Sequence, residues 1–418
     1  MVKMQAENNK NNIKTLSFGC RLNAMECEKI KNMLCACGIC AVVVNTCAVT
    51  AEAERQCGQA VRKIARENPN TIIFVTGCAA TRNPKLFEKI SGVVIVPNEK
   101  KMDLDTYMSK IPPKICGNLQ PGIRGNFDLE NKLSKQFVQI QNGCNHDCTY
   151  CVTRLLRGPA ISFEYDKILE NVRSATENGF GEIVLTGVDI ASYVRVHDGR
   201  PFLISDLCQQ LLDDVPNLQR LRLSSVDPAV PAICDIIEMM KKEPRFMPHL
   251  HLSMQSGSDV ILHMMRRRHT ADKIRDLVRL ANGKISFSWD IICGFPGETD
   301  ELFGETLNLA QELKPIRIHA FPFSPRPGTV AAEMPNQIPR DIAKARVRKI
   351  TDIANKNMCN FMKNLVGNTF QVLVESDNVG RTPDDIPVQI IGTDIPPRTI
   401  CNVKITDANE TLLIGNKI

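Results

Sequence analysis

Short runs rich in valine and isoleucine alternate with longer helical stretches along most of this chain, and that alternation leaves few folds open. A strand, a helix and another strand in succession imply a parallel pair joined by a crossover. Residues 15–18, 41–44 and 72–76 read as strands, with helices over 25–35 and 52–66. This order predicts a βαβαβ unit, a parallel sheet with right-handed crossovers. After a stretch near 114–135 rich in Pro, Gly, Asn and charge, the alternation resumes. Strands are expected at 137–141, 183–186, 221–224, 249–255, 285–292 and 316–321, with helices between them, for example at 165–178 and 299–313. Six β/α units predict a partial TIM-type barrel whose chemistry lies at its C-terminal mouth. Short β runs at 370–375, 387–391, 400–405 and 412–414 predict a small antiparallel barrel of the OB-like sort. The expected class is α/β, with a parallel-sheet domain over 13–118, a barrel over 130–335, a basic helical connector over 340–364 and a small β-barrel over 367–418.

Seventeen cysteines occur in a chain whose first twelve residues are polar and Asn-rich, with no apolar signal core. No apolar run approaches the ~18 residues of a membrane span. A cytoplasmic protein without membrane contact is therefore expected, and in a reducing compartment these thiols are not a disulfide framework. Some must be ligands and the rest small core residues. Cys144, Cys148 and Cys151 form a C-x3-C-x2-C run directly after the first barrel strand. Three thiolates on one short loop can hold three irons of a cubane cluster and leave the fourth iron open to a small molecule. Zinc ribbons use paired C-x2-C sets and close on four ligands, which fits this spacing poorly.

Cys20, Cys47 and Cys78 each follow the C-terminal end of a strand in the first domain. Ligands collect outside the carboxyl ends of parallel strands, so three neighbouring strands would bring three thiols to one edge. The alternative is a flavodoxin-like sheet with incidental cysteines, of which Cys27, Cys35, Cys37, Cys40 and Cys57 show there are several. At the barrel mouth stand Thr186-Gly187-Val188-Asp189, Ser224-Ser225, Gln255-Ser256-Gly257 and the glycine-rich run from Gly294 to Thr299. Glycine there allows a cofactor close to the backbone, although Gly and Ser also end strands for simple turn reasons. His319 and His263 read as structural or surface residues. The net charge of +6 permits an RNA partner without demanding one, and the basic stretch 340–363 reads equally as a solvated face or an RNA contact.

Several segments together resemble the methylthiotransferases of the radical S-adenosylmethionine class, from about Lys14 onward. They are Thr15-Leu16-Ser17-Phe18-Gly19-Cys20 with Asn23, Val44-Asn45-Thr46-Cys47, Thr76-Gly77-Cys78, the Cys144 loop with Tyr150 and Arg157-Gly158, and the run from Asp290 to Thr299. The tail resembles the small RNA-binding barrel called TRAM. The resemblance implies two [4Fe-4S] clusters, one on Cys144, Cys148 and Cys151 that cleaves S-adenosylmethionine, and an auxiliary one on Cys20, Cys47 and Cys78. Tyr150, Gly187, Ser225, Gln255 and Gly294 are the expected cofactor contacts. It also implies an electron donor such as flavodoxin or ferredoxin; the chain is expected to act as a monomer. The expected substrate is the anticodon loop of tRNA carrying threonylcarbamoyladenosine, since Leu221-Arg222-Leu223-Ser224-Ser225 and His249-Leu250-His251-Leu252-Ser253 resemble that branch and the isopentenyl branch usually has proline at Ser253. Isopentenyladenosine and a ribosomal-protein aspartate are the alternatives within the family, and a non-catalytic cluster-bearing RNA-binding protein is the alternative outside it. Residues from 367 on hold seven acidic against four basic side chains, unusual for an RNA clamp, and the stretch between Cys20 and Cys47 is short for the family.

Overall fold

The structure, a computed structural model, describes residues 13–37, 39–111, 134–392 and 394–418. The described residues divide into two bodies, one made of residues up to 111 with Cys151–Pro159, the other of 134–150 with Ala160–Ile418.

The first body is built on a parallel sheet in the order β1 (Ile13–Ser17), β2 (Ala41–Thr46), β3 (Ile72–Gly77) and β4 (Val93–Ile95). Its central strands are buried on both faces, as their unbroken apolar runs require. Ala41, Val43, Ile72 and Phe74 face α1 (Arg21–Cys35) through Ile30 and Leu34. Val42, Val44, Ile73 and Val75 face α2 (Ala51–Glu67) through Cys57, Val61 and Ile64. Thr50 starts α2 by accepting the Ala53 amide at 3.1 Å. The chain steps in the same direction from β1 to β2 and from β2 to β3, yet the two helices lie on opposite faces. One of the two crossovers is therefore left-handed, against the sequence expectation. Each face of this sheet needs an apolar cover, and the stripes of α1 and α2 supply one each.

In the second body, β5 (Lys135–Gln139), β6 (Glu182–Thr186) and β7 (Leu221–Leu223) form one parallel sheet, and β8 (His249–Gln255), β9 (Ser286–Cys293) and β10 (Arg317–Pro322) another. Single parallel bridges, Leu221 to Phe246 and Val226 to Leu252, join them into an open six-strand barrel. Alternate residues such as Leu185, Leu223, Leu252 and Trp289 pack outward against the surrounding helices. The intervening positions, among them Glu182, Arg222, His249, His251 and Asp290, face the lumen.

The 26-residue helix α5 (Arg340–Leu365) ties this barrel to a smaller one. Ile350 and Ala354 belong to the large core and Met362 to the small one. The small barrel closes in the order β11 (Thr369–Ser376), β12 (Val379–Arg381), β13 (Pro387–Ile391), β15 (Leu413–Lys417), β14 (Ile400–Ala408). All its pairings are antiparallel except that between β13 and β15.

The small barrel stops the base of the large one. Asp385 accepts from Lys135 at 2.7 Å and lies 3.4 Å from Arg317. Arg222 donates to Glu182 at 2.6 Å and to the Pro383 carbonyl at 2.9 Å. Arg220 donates to the carbonyls of Gln371 and Arg381. Burial works against the Asp385 charge, but Lys135, Arg222 and Arg381 outweigh it and hold the carboxyl well below the usual range. Two of the seven acids that made the tail look unsuited to RNA, the buried Asp385 and the half-buried Asp384, are thus turned toward the barrel base.

Candidate active site

In the first body the three strand-end cysteines meet. Cys20 opens α1, Cys47 follows β2 and Cys78 opens α3 (Cys78–Arg82). Gly19 lies at φ +86°, and a Cβ there would sit 2.5 Å from the Cys47 sulfur, so only glycine fits. Asn23 donates to the carbonyls of Phe18 and Thr46, and Thr46 donates to the Thr76 carbonyl, tying the three strand ends together. Burial pushes the Cys47 thiol up to about 11, and the Cys78 and Cys20 thiols beside it add to the rise. Burial also raises Cys78, while Arg157 and Lys101 offset part of that.

Arg157 ends α4 (Thr153–Arg157) and is the cationic wall of this site. It donates to Glu26 at 3.0 Å and to the Asn23 side chain at 2.6 Å. Lys101 closes on the same Glu26 at 2.5 Å. Burial raises the Glu26 pKa, but Lys101 and Arg157 together hold it low. Two buried cations against one carboxylate leave a positive surplus beside three thiols, which suits thiolates bound to a metal. Neither Glu26 nor Lys101 stands in a motif that would have marked it in the sequence.

At the barrel mouth, the loop from Cys144 to Cys151 is irregular, and backbone amides point at its sulfurs: His146 N–H at Cys144 and Thr153 N–H at Cys151, both at 3.4 Å. The donor atoms of Cys144, His146 and Asp189 lie within 4.8 Å of one another. Asp189 accepts from His146 at 2.8 Å and from Ser192. These bonds outweigh burial and keep its carboxyl low. Gln141 receives the amides of Val188 and Asp189, and Gly187 packs so closely on it that a Cβ would meet the Gln141 carbonyl at 2.8 Å. Tyr150 packs on a small cluster around Phe295. Ser225 is exposed, and Gln255 has φ +74° at the end of β8. Gly294 is placed differently: its bare Cα makes room for Ala343 of α5, 2.5 Å from where a Cβ would be.

Below the mouth the lumen is lined with polar groups. His251 meets Ser288 at 2.6 Å and Asp290 at 3.0 Å. Its ring stands edge-on to His319, with centroids 5.2 Å apart. His249 bridges Ser286 and Ser288, and burial, then Arg222, hold its pKa well below the usual value. His319, expected to be structural or a surface residue, thus faces the cavity. Only the alternation of β10 could have shown this. Within the basic stretch 340–363, Arg346 is neither on a solvated face nor open to RNA: it is buried and donates to Glu298 and Asp300, both at 2.8 Å.

An open β/α barrel with a C-x3-C-x2-C loop after its first strand is the architecture of the radical S-adenosylmethionine class, and the Radical SAM superfamily matches residues 138–310. A family described as uncharacterized protein family UPF0004 matches residues 12–96. A threonylcarbamoyladenosine tRNA methylthiotransferase, MtaB, of Rickettsia prowazekii (strain Madrid E) is 38% identical over 388 residues, 90% of each chain. The MtaB of Chlamydia pneumoniae is 31% identical over 97% of this chain and 98% of its own. A tRNA-2-methylthio-N(6)-dimethylallyladenosine synthase of Ehrlichia canis (strain Jake) is 30% identical, covering 96% of this chain and 98% of its own. The methyltransferase TsrM of Kitasatospora setae, solved with cobalamin and a [4Fe-4S] cluster, shares the fold, with a TM-score of 0.52 at 17% identity over 70% of this chain and 66% of that one.

This chain belongs to the radical S-adenosylmethionine methylthiotransferase family. It is an enzyme whose class requires a [4Fe-4S] cluster and S-adenosylmethionine. No helix among the described residues is long and apolar enough to cross a membrane.

Proposed function

We propose that the enzyme places a methylthio group on C2 of N6-threonylcarbamoyladenosine beside the anticodon of tRNA. The lumen carries this reading. His251, Asp290 and His319 offer polar atoms to a substituent that has a carboxylate, a hydroxyl and amide groups. An apolar isopentenyl group would displace water from this polar lining and offer it no hydrogen bond in return, which disfavours it. The MtaB relatives support the same choice. The ribosomal-protein alternative leaned on an acidic tail, and that support weakens once Asp384 and Asp385 face the barrel base. The target base would be splayed from a single-stranded loop into the lumen.

In this reading Cys144, Cys148 and Cys151 hold the cluster that binds S-adenosylmethionine, with Tyr150, Gly187, Ser225 and Gln255 around the cofactor and Gly294 shaping the wall against α5. Cys20, Cys47 and Cys78 hold the auxiliary cluster. Once bound, these groups supply a carbon radical able to break an unactivated C–H bond, together with sulfur and a methyl group, chemistry that no side chain provides. The protein orients the base, keeps water from the lumen and compensates the charge of six thiolates. A flavodoxin or ferredoxin supplies electrons, and the chain works as a cytoplasmic monomer. Nucleoside mass spectrometry on tRNA from cells with and without this protein tests the substrate. The methylthio form of threonylcarbamoyladenosine should vanish without it; loss of methylthio-isopentenyladenosine, or of methylthio-aspartate in a ribosomal protein, would overturn the choice.

A further inference from the structure

Three consecutive arginines, Arg266, Arg267 and Arg268, follow helix 259–264 and grip the cysteine loop residue by residue. Arg266 donates to Asp147 at 2.8 Å and Arg267 to the Cys148 sulfur at 3.5 Å, while Arg268 stands 2.9 Å from the His146 ring. The chain just before them accepts from Thr149, whose amide bonds to the Met265 carbonyl at 3.2 Å and whose hydroxyl bonds to that of Met264 at 3.0 Å. Arg266 lies at φ +56°, which turns the strap so that adjacent arginines diverge to different loop residues.

The three are not equivalent. The side chains of Arg266 and Arg268 are 51% and 46% exposed, so water and salt screen their charge, whereas that of Arg267 is 6% exposed. Arg267 is held from behind by the Ser253 carbonyl at 2.7 Å and by Asp227 at 3.1 Å. Its guanidinium therefore stays charged and fixed beside one sulfur. A charged N–H pointed at a cluster ligand lowers electron density on that sulfur and favours the reduced state, which carries one more negative charge.

We propose that Arg267 is a positioning residue of the radical S-adenosylmethionine site: it sets the reduction potential of the cluster through Cys148, and Asp227 sets how much of its charge the sulfur feels. This rests on the assignment of Cys144, Cys148 and Cys151 as cluster ligands. Cationic compensation by Arg157 and Lys101 in the first body follows the same logic with different residues.

The test is an EPR potentiometric titration of the full-length, anaerobically reconstituted protein carrying Cys20→Ala, Cys47→Ala and Cys78→Ala, so that one cluster of about four irons is read. Adding Arg267→Gln should make one-electron reduction at least tenfold less favourable, a midpoint about 59 mV more negative. Arg267→Lys should recover part of that shift, because the charge remains and the fixed fork does not. Asp227→Asn should move the midpoint the opposite way. A merely structural role for the strap would lower iron content without producing shifts of opposite sign. Full iron with an unchanged midpoint in Arg267→Gln would overturn the proposal. If that variant takes up no iron, Asp227→Asn decides, and a midpoint unchanged or more negative there overturns it. Parent protein without iron would overturn the cluster assignment itself, and the role of Arg267 with it.

Discussion

Single residues decide whether each thiol set can form. Gly19 has both a left-handed φ of +86° and no room for a side chain beside Cys47. Gly19→Ala should cost about 1–2 kcal/mol in backbone strain and displace Cys47. Iron per chain should then fall from about eight to about four, with the second body intact; iron analysis beside circular dichroism checks this. At the barrel base, Glu182 is fully buried. Burial works against its charge, but Arg222 and Lys135 overcome it and lower its pKa to about 2 from 4.5. A depressed carboxyl contributes stability above its unfolded value and loses it as pH falls through the folded one. About 3 kcal/mol should therefore be lost between pH ~4.5 and ~2. Glu182→Gln should be less stable at pH 7 by about 3–5 kcal/mol, because Arg222 and Lys135 lose their partner. Its deficit should shrink as the pH is lowered towards 2 in chemical denaturation. A deficit independent of pH would mean that the pairing is not the source.

Elements decide which charges are available. Helix α5 carries many basic residues, but they do not act alike. Arg346 is spent on Glu298 and Asp300, whereas Lys344, Arg348, Lys349, Lys356 and Lys363 are exposed. The exposed set is the part able to meet phosphate. Lys344→Ala with Arg348→Ala should flatten the dependence of log K on log salt for tRNA by roughly two units, without loss of iron. An unchanged slope would assign these side chains to the solvated face instead. Arg346→Ala belongs to a different class of effect: it strands buried Glu298, whose pKa burial already raises, and should lower stability rather than RNA affinity.

For the molecule as a whole, the small C-terminal barrel is a structural part of the large one. Asp385, the Pro383 carbonyl and the core around Ile316 and Met362 all depend on its presence. A chain ended after Leu365 should leave Lys135, Arg222 and Arg317 without these partners and expose apolar surface. A lower thermal midpoint and aggregation are expected; a truncated chain melting at the same temperature as the full one would show the barrel to be a detachable module.

The sequence by itself determined the local order of this protein. All six large-barrel strands, three of the four strands of the first sheet and the positions of both cysteine triplets are written in β-branched runs and in residues that directly follow them. These are short-range properties, set by side-chain period and turn chemistry. The strand Val93–Ile95, only three residues long, and Val379–Arg381 carry too little pattern to be read. Only tertiary structure decided that Cys20, Cys47 and Cys78 share Arg157, with Lys101 beside Cys78, that His319 meets His251, and that Asp385 neutralises the barrel base. It also decided that Arg346 is buried and that one crossover of the first sheet is left-handed. Each of these depends on groups far apart in sequence becoming neighbours in a medium of low dielectric. There the strength of an ion pair and the pKa of a thiol are fixed by which partners arrive, a property that no single segment of the chain carries.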